Sequence, residues 1–378
     1  MGHSKMDQST YNSLKSFIFG IANDCLVDVY DVGDYRKIIL PMFVIRRFDA
    51  LLEPVHDKVI KALEQFQKTS RTTNFDPALC HVAGQAFINK SRFTLKDLKS
   101  ITNSQTLKKD FINYLDGFSQ NVQDIIDKFK FRSQIDTLSS KDRLGLLISK
   151  FVDERYNFSS LPVLDEKGQE RLPSLDNHTM GTLFEDVIRT FNETPNVTDA
   201  GRHFTPRDVV NLVADLAFVP VQDKIRDSAY RIYDGACGTG GMLTVGEERI
   251  RELAERIDKK VSINLFGQEL ADETFAIAKA DMIIKGEGAQ ADNIKHGSTI
   301  SEDKFKNETF DFMLSNPPFG TSWKADLNGV WADKKEDIAD SRFVVNYDSN
   351  PEFFMVPDIG DPQMLFLANN ISKMKKNY

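Results

Sequence analysis

The carboxyl-terminal half of the chain alternates short strand-like runs with helical patterns, and this alternation restricts the fold more than any other feature. Strand-like runs occupy residues 230–234, 262–267, 293–296 and 310–315. Helical patterns occupy residues 242–257, 271–284 and 360–376. Because repeated strand–helix units build parallel sheets with helices on both faces, the sequence predicts an α/β domain. Ligands of such sheets bind beyond the carboxyl ends of the strands, which is where the unusual residues of this chain fall.

The first 165 residues lack this alternation and are predicted to be helical. Apolar residues between Ile38 and Leu52 follow helical spacing, with Arg46 and Arg47 on the opposite, solvated side. These arginines and the basic run at 128–132 are candidates to touch phosphate. Serines and prolines at 157–178 indicate a linker, and a helix is predicted at 182–191. We therefore predict two domains, a helical packing or docking domain at 1–165 and a catalytic domain at 166–378.

Composition and charge limit the remaining possibilities. Hydrophobic residues make up 41% and charged residues 28% of the chain, which is ordinary for a soluble globular protein. No apolar run approaches the ~20 residues of a membrane span, and the first residues do not resemble a signal peptide. Cys25, Cys80 and Cys237 are scattered, which favours a reducing cytoplasm and gives no metal-type spacing. The net charge of −8 argues against tight, autonomous DNA binding.

A glycine-rich turn joins the first strand to the next helix. Residues 234–241 read Asp-Gly-Ala-Cys-Gly-Thr-Gly-Gly, and glycines let a ligand approach the backbone closely. The spacing differs from the Gly-x-Gly-x-x-Gly fingerprint of dinucleotide sites. Glu269 ends the following strand, where its carboxylate can accept hydrogen bonds from both ribose hydroxyls. The pattern favours S-adenosylmethionine over a nicotinamide dinucleotide, with a purely structural turn as the remaining alternative.

A helix start precedes this unit. Thr205 and Pro206 are predicted to open a helix that runs to Ala217, since threonine caps helices and proline favours their first turn. One interpretation is that these residues do no more than begin a helix. The other is that its exposed amino terminus holds the carboxylate of the methionine moiety.

The tetrapeptide Asn316-Pro317-Pro318-Phe319 follows the strand-like run at 310–315. The side-chain oxygen of Asn316 and the carbonyl of Pro317 can accept the two hydrogens of one NH₂ group, and the prolines add no competing N–H. Phe319 can stack on a ring. The element therefore predicts a grip on a flat amide or aminopurine nitrogen, with its lone pair directed toward a methyl donor.

Taken in order, these segments resemble the methylation subunit of type I restriction–modification systems, in the γ class of amino-group DNA methyltransferases. The matching segments are residues 203–207, 234–242, 267–269, 297–299 and 314–320. Residues 35–48 are similar to the helical domain of that family. The resemblance implies a Rossmann-like sheet of the S-adenosylmethionine-dependent methyltransferases, preceded by an all-helical domain for assembly or DNA contact. It also implies methyl transfer to adenine N6.

The resemblance implies roles for individual residues. Asn316, Pro317, Pro318 and Phe319 would hold the target base. The cofactor would be held by Arg202, His203, Phe204, Thr205, Pro206, Arg207, Asp234, Gly235, Gly238, Thr239, Gly240, Gly241, Glu269 and Ser298. No metal is expected. Where the family often has Asp or Asn, this chain has Ser298, whose hydroxyl can still hydrogen-bond the cofactor adenine, though more weakly than a carboxylate.

The resemblance also implies partners. These are double-stranded DNA with a flipped adenine, a DNA-specificity subunit, a second copy of the chain and, in some assemblies, a restriction and translocase subunit, all in the cytoplasm. The acidic charge fits a partner that reads the sequence.

The carboxyl end departs from the family pattern. The chain ends one helix past the Asn-Pro-Pro-Phe loop, whereas the family sheet continues for about three strands and a helical region. We therefore expect an incomplete sheet and base pocket, as in a truncated, split or frameshifted product or a fragment. The strand at 310–315 should then have unpaired edge groups. The apolar face of the last helix should be partly uncovered.

Two other functions compete with DNA methylation. A catalytically inactive scaffold would bind cofactor or the specificity subunit without transferring a methyl group. An N5-glutamine methyltransferase acting on protein also uses Asn-Pro-Pro-aromatic, but it needs no helical domain of this length, and residues 203–207 fit it poorly.

Overall fold

The computed structural model describes residues 7–69, 72, 74–192, 205–286, 288–327, 340–343 and 358–376. The chain divides into two compact units. The first comprises Met1–Ala200 with Lys279–Ala291, and the second comprises Gly201–Ala278 with Asp292–Tyr378. Over the described residues, no helix is both long and apolar enough to cross a membrane.

The first unit is mainly helical, as predicted. Its helices are α1 (Gln8–Leu26), α2 (Arg36–Leu52), α3 (His56–Thr69), α4 (Asp76–Ala83), α5 (Leu95–Lys99), α6 (Ser104–Asp116), α7 (Gln120–Lys128), α8 (Arg132–Ser140), α9 (Leu144–Phe151) and α10 (Asn177–Asn192). Local signals set several starts. Thr94 and Asp97 form a reciprocal capping box at α5, and Asn103 caps α6 with its side chain.

Arg46 and Arg47 of helix α2 are buried in this unit. Arg46 is 5% exposed and Arg47 is 0% exposed. The Arg47 guanidinium donates to the carbonyls of Phe158 and Leu175 at 2.6 and 3.0 Å, and to Oδ1 of Asn177 at 2.8 Å. The prediction that these arginines lie on a solvated face, available to phosphate, is therefore wrong.

The charge of Arg46 is neutralised one helical turn away. Its Nη1 lies 2.9 Å from Oδ2 of Asp49. Asp49 also accepts from the N–H of Leu95 and from the hydroxyl of Tyr114, each at 3.0 Å. Burial raises the pKa of the Asp49 carboxyl, whereas the charge of Arg46 lowers it. A buried ion pair with further hydrogen bonds satisfies its own polar atoms, and it fixes α2 against α5 and α6.

The segment predicted as a linker contains ordered structure. Strands β1 (Val163–Leu164) and β2 (Glu170–Leu172) pair as an antiparallel hairpin. On either side of it, Phe158 and Leu175 are fully buried. Burial of these two side chains anchors the hairpin to the helical unit.

Helix α10 packs on α1 and α2. Asp186 on α10 accepts from the hydroxyl of Tyr11 at 2.9 Å and pairs with Lys15 at 3.0 Å. The first compact unit thus extends past residue 165, where the sequence places the domain boundary.

The second unit contains a four-stranded parallel sheet among the described residues. Its strands are β3 (Ser228–Asp234), β4 (Val261–Glu269), β5 (Ile294–His296) and β6 (Phe312–Met313), in the order β5-β4-β3-β6. Its helices are α11 (Arg207–Phe218), α12 (Gly241–Arg256), α13 (Asp272–Ile284), whose last turns belong to the first unit, and α14 (Pro362–Ser372). The predicted alternation of strands and helices is confirmed.

Strand β3 lies at the centre of this sheet because both of its edges are paired. Its register with β4 runs from Ser228 beside Val261 to Asp234 beside Gly267. On its other edge, Ile232 pairs with Phe312 of β6. Helix α12 packs against β3 and β4. The chain segments that leave β3, β4 and β6 therefore emerge at one edge of the sheet.

The far side of the β6 segment is partly paired. Phe310 forms a parallel bridge with Met374. The N–H of Phe310 donates to the carbonyl of Lys373 at 2.9 Å, and the N–H of Lys375 donates to the carbonyl of Phe310 at 3.1 Å. The expectation of unpaired backbone groups along this edge is therefore wrong at Phe310.

The apolar face of α14 is partly uncovered among the described residues, as expected. Met364, Leu367 and Ile371 are 48–60% exposed. Leu365 and Phe366 instead pack in a buried cluster with Ile300, Trp323 and Phe343. Only one side of the helix therefore contributes to the core.

Candidate functional site

The residues that follow β3, β4 and β6 gather at the carboxyl edge of the sheet. Parallel pairing places Asp234 beside Gly267, two residues before Glu269. On the other side of β3, the N–H of Leu314 donates to the carbonyl of Tyr233 at 3.1 Å. The glycine turn after Asp234 and the loop after Leu314 therefore start next to each other. This is the position at which parallel sheets bind ligands.

Left-handed glycines shape the turn after β3. Gly238 and Gly240 have φ angles of 55° and 87°, which disfavour residues that carry a side chain. The N–H of Cys237 donates to the carbonyl of Gln268 at 3.1 Å and holds the turn against β4. At Gly241, where α12 begins, an added methyl group would meet no atom within 4 Å. A ligand could therefore approach the start of this 16-residue helix, where backbone N–H groups can bind polar atoms.

The carboxylate of Glu269 closes the turn from the β4 side. Its Oε2 accepts from the N–H of Gly238 at 2.9 Å, and its Oε1 accepts from the N–H of Ala271 at 2.8 Å. The side chain is partly exposed. Because each carboxylate oxygen can accept more than one hydrogen bond, the group retains capacity for the hydroxyls of a ribose. This orientation suits the predicted ribose-binding role.

Asp234 lies beneath the turn and is 1% exposed. Its Oδ1 accepts from the N–H of Ala236 at 2.9 Å and from the hydroxyl of Ser315 at 2.7 Å. Burial raises the pKa of Asp234 to about 7, the two hydrogen bonds act against this rise, and the charge of Glu269 adds to it. Asp234 therefore joins the glycine turn to the loop after β6, and a direct cofactor contact of this carboxyl stays a prediction.

This buried carboxyl should make the stability of the fold depend on pH. The folded pKa of Asp234, about 7, lies above the ordinary 3.8, so the folded chain retains a proton that the unfolded chain has lost. The resulting stabilisation is full below pH 3.8 and is lost as the pH rises to about 7. The change Asp234→Asn keeps an acceptor oxygen and cannot ionise, so it should flatten this fall. Urea unfolding of both proteins across the window measures it, and parallel pH curves would contradict the shift.

The Asn316-Pro317-Pro318-Phe319 loop begins at the end of β6. Asn316 is exposed, and its Nδ2 donates to Oγ1 of Thr205 at 3.0 Å. The ring of Phe319 is 66% exposed. An amide and an aromatic ring at this spacing can hold and stack a planar group. The structure thus brings together Asn316 and Thr205, which are 111 residues apart in the chain.

The start of α11 differs from the prediction. Pro206 is the N-cap residue, without a side-chain cap bond, and the helix begins at Arg207. Thr205 is therefore not the cap, and its hydroxyl instead accepts from Asn316. Arg207 pairs with Glu248 at 2.8 Å on the surface. Three further residues with a predicted cofactor role lie outside the described residues: Arg202, His203 and Phe204.

Ser298 follows β5, and its hydroxyl stabilises a turn. Its Oγ accepts from the N–H groups of Ile300 and Ser301 at 3.2 and 3.4 Å. Neither bond uses the hydroxyl hydrogen, so donation to a cofactor adenine stays a prediction. The neighbouring Thr299 donates from its hydroxyl to the carbonyl of Gly235 at 2.5 Å, which ties this turn to the glycine turn.

The sequence pattern does not indicate two side chains that stabilise the turns of the site. Gln268 is fully buried and donates to the carbonyl of Glu302 at 2.9 Å. Arg342 donates to the carbonyls of Thr299 and Ile300 at 2.7 and 2.8 Å. The carbonyls of Glu302 and Ile300 lie 34 and 42 residues from their donors, so no local pattern marks them.

The sequence matches two family profiles and several curated proteins. The family profile described as N-6 DNA Methylase matches residues 175–376, and the profile of the HsdM N-terminal domain matches residues 14–151. The type I restriction enzyme MpnII methylase subunit of Mycoplasma pneumoniae is 25% identical over 277 residues, covering 68% of this chain and 46% of that protein. The MjaIX methylase subunit of Methanocaldococcus jannaschii is 28% identical over 218 residues, covering 55% of this chain and 35% of that protein.

A solved structure shows the same fold. The type I restriction–modification methyltransferase subunit of Streptococcus thermophilus aligns with a TM-score of 0.64 at 20% identity, covering 97% of this chain and 73% of that one. The chain spans less than half the length of the two curated relatives. The first profile covers more than half of this chain and includes both the glycine turn and the Asn-Pro-Pro-Phe loop, so the chain belongs to the N-6 DNA methylase family.

Proposed function

We propose that this chain transfers a methyl group from S-adenosylmethionine to N6 of adenine in DNA, as the modification subunit of a type I restriction–modification complex. One observation carries the proposal. The glycine turn and the Asn-Pro-Pro-Phe loop leave adjacent strands and are joined by the Ser315–Asp234 hydrogen bond of 2.7 Å. A cofactor on the turn and a planar base on the loop would therefore be neighbours.

The described residues fit S-adenosylmethionine. The cofactor would supply the electrophilic methyl group. Glu269 would accept from its ribose, the N–H groups at the start of α12 would face its polar atoms, and Ser298 would donate to its adenine. Pro206 and Arg207 would lie at its methionine end, together with the predicted residues 202–204. The site has a carboxylate that can accept from ribose hydroxyls, and its glycine spacing differs from that of dinucleotide sites. Both features suit an adenosyl group that carries no phosphates.

The loop supplies the grip on the base. A base inside the duplex is unreachable for in-line transfer, so the adenine must be flipped out. Oδ1 of Asn316 and the carbonyl of Pro317 would accept the two N6 hydrogens, and Phe319 would stack on the ring. This directs the nitrogen lone pair toward the methyl group. Catalysis then rests on positioning and on preorganised dipoles.

Most of the affinity for DNA would come from other chains of the complex. A net charge of −8 gives poor affinity for phosphates. The relatives are named as type I restriction enzyme methylase subunits, and we extend that assembly to this chain. It would act in the cytoplasm with a DNA-specificity subunit, a second copy of itself and, where present, a restriction and translocase subunit. The helical domain predicted at 1–165 would serve assembly or DNA contact.

Cofactor binding can be tested without DNA. Replacing Glu269 with alanine removes a charged acceptor from the ribose and from the N–H of Gly238. Since a hydrogen bond to a charged group contributes about 1.5–3 kcal/mol, we expect the Kd for S-adenosylmethionine to rise about 10- to 100-fold. Equilibrium dialysis measures it. Glu255→Ala, at an exposed position on α12, is the matched control and should bind as the wild type does. Equal affinity of the Glu269 variant would contradict the assigned role.

A further inference from the structure

Two hydroxyl groups make hydrogen bonds that hold the segment of Ser315 and Asn316. The hydroxyl of Ser315 donates to Oδ1 of Asp234 at 2.7 Å. The amide nitrogen of Asn316 donates to the hydroxyl oxygen of Thr205 at 3.0 Å. Ser315 and Asn316 are consecutive residues, and their partners belong to different elements, the end of β3 and the segment before α11.

The first contact fixes the backbone of the loop. Hydrogen bonding between β3 and the β6 segment ends with the N–H of Leu314 on the carbonyl of Tyr233. The Ser315 hydroxyl on Asp234 is the next contact along the chain. Because Asp234 is buried and also accepts from the N–H of Ala236, its carboxyl group is held in a fixed position. The carbonyl of Pro317, two residues on, is thereby placed relative to the glycine turn.

The second contact holds the side-chain amide of Asn316. An asparagine side chain has one acceptor oxygen and a donor NH₂ group. With its nitrogen on Thr205, Asn316 directs its oxygen along the other branch of the amide. A reversed amide would set its NH₂ against the NH₂ of an adenine, donor against donor. Because the Thr205 hydroxyl acts as the acceptor in this contact, the amide oxygen of Asn316 is left to accept an N6 hydrogen.

We propose that Thr205 and Ser315 are positioning residues that form a two-point clamp on Asn316, with Thr205 holding the side-chain amide and Ser315 holding the backbone. The clamp rests on the proposed function for its role in methyl transfer. The resemblance instead places Thr205 at the methionine end of the cofactor and gives Ser315 no role. The two assignments of Thr205 differ in which measured quantity the residue controls.

The clamp itself can be tested without any reaction. The side-chain amide signals of Asn316 in ¹H–¹⁵N spectra, assigned with Asn316→Ala, report the hydrogen bond to Thr205. We expect Thr205→Val to shift these signals and to speed their exchange with solvent, and Ser315→Ala to shift the backbone signal of Asn316. Thr182→Val on α10 and Ser372→Ala on α14 remove hydroxyls whose bonds to described residues lie within their own helices. These controls should leave both signals in place, and unchanged signals in the clamp variants would overturn the clamp.

Kinetics then separate the two assignments of Thr205. Loss of one hydrogen bond of the clamp, amplified by misplacement of the reacting nitrogen, should lower kcat about 10-fold in Thr205→Val and in Ser315→Ala. The Kd for S-adenosylmethionine should change by less than about 2-fold, because neither hydroxyl needs to touch the cofactor for the clamp to act. Thr205→Ser and Ser315→Thr restore the hydroxyls and should recover most of kcat.

The outcomes distinguish the clamp from the proposed function. A Thr205→Val variant with weakened cofactor binding and unchanged kcat would overturn the clamp in favour of the methionine role. Failure of the serine and threonine variants to recover kcat would also overturn it. A wild-type chain that binds the cofactor and methylates nothing with its partner would overturn the proposed function and with it the catalytic role of the clamp, while the amide signals of Asn316 would still decide whether the contacts exist.

Discussion

Replacing Asn316 with alanine should lower kcat for methyl transfer about 10²–10³-fold, the range measured when one preorganised polar group is removed from an active site. The affinity for S-adenosylmethionine should change by less than about twofold, because the Asn316 side chain bonds to Thr205 and not to the glycine turn or Glu269. The loss of kcat is expected because the amide oxygen of Asn316 and the carbonyl of Pro317 together accept the two hydrogens of one NH₂ group. Without the amide, only the Pro317 carbonyl holds that group.

The measurement is single-turnover transfer of labelled methyl groups at saturating cofactor, beside equilibrium dialysis of the cofactor. Asn307→Ala, at another exposed position of the same unit, is the matched control and should react as the wild type does. Parallel loss of cofactor binding and transfer in Asn316→Ala would contradict the separation of roles between the loop and the turn.

Replacing Arg47 with methionine should destabilise the helical unit by about 3–5 kcal/mol, the range for breaking a buried polar cluster by removing one partner. Methionine fills similar space but donates nothing. The carbonyls of Phe158 and Leu175 and the Asn177 side chain would lose their donor. Burial lowers the pKa of Arg47 to about 10, and the charge of Asp176 opposes this shift.

Urea unfolding followed by circular dichroism measures this loss. Arg155→Met is the matched control, since Arg155 is 72% exposed and pairs with Asp153 at the surface. The Arg47 variant should unfold at clearly lower urea, and the Arg155 variant should unfold with the wild type. Equal midpoints for all three proteins would contradict a central role for Arg47 in the helical unit.

The sequence predicted the sheet well because its signals are local. The glycine turn between β3 and α12 and the apolar runs of β3 and β4 are periodic or conformational patterns within a few residues. The parallel arrangement follows from the alternation alone. The sequence predicts a strand over 310–315, whereas β6 spans Phe312–Met313, and Phe310 forms a separate bridge with Met374, a distant partner that no local pattern indicates.

The misplaced residues are those whose partners lie far away in the chain. The helical spacing places Arg46 and Arg47 on a solvated face, whereas the acceptors of Arg47 lie 111 to 130 residues away in the chain. The local sequence before α11 predicts that Thr205 caps the helix, whereas the observed partner of its hydroxyl is Asn316. Periodicity reports which face of a helix is apolar, and it cannot report a buried carbonyl that makes a charged position favourable.

The most direct test of the account is the chemical identity of the methylated product. The chain and a cognate DNA-specificity subunit would be incubated with labelled S-adenosylmethionine and unmethylated DNA, and the digested nucleosides separated. The account predicts label in N6-methyladenine, and none when Asn316 is alanine. Label in a protein glutamine, or no label from a soluble complex that binds the cofactor, would contradict it.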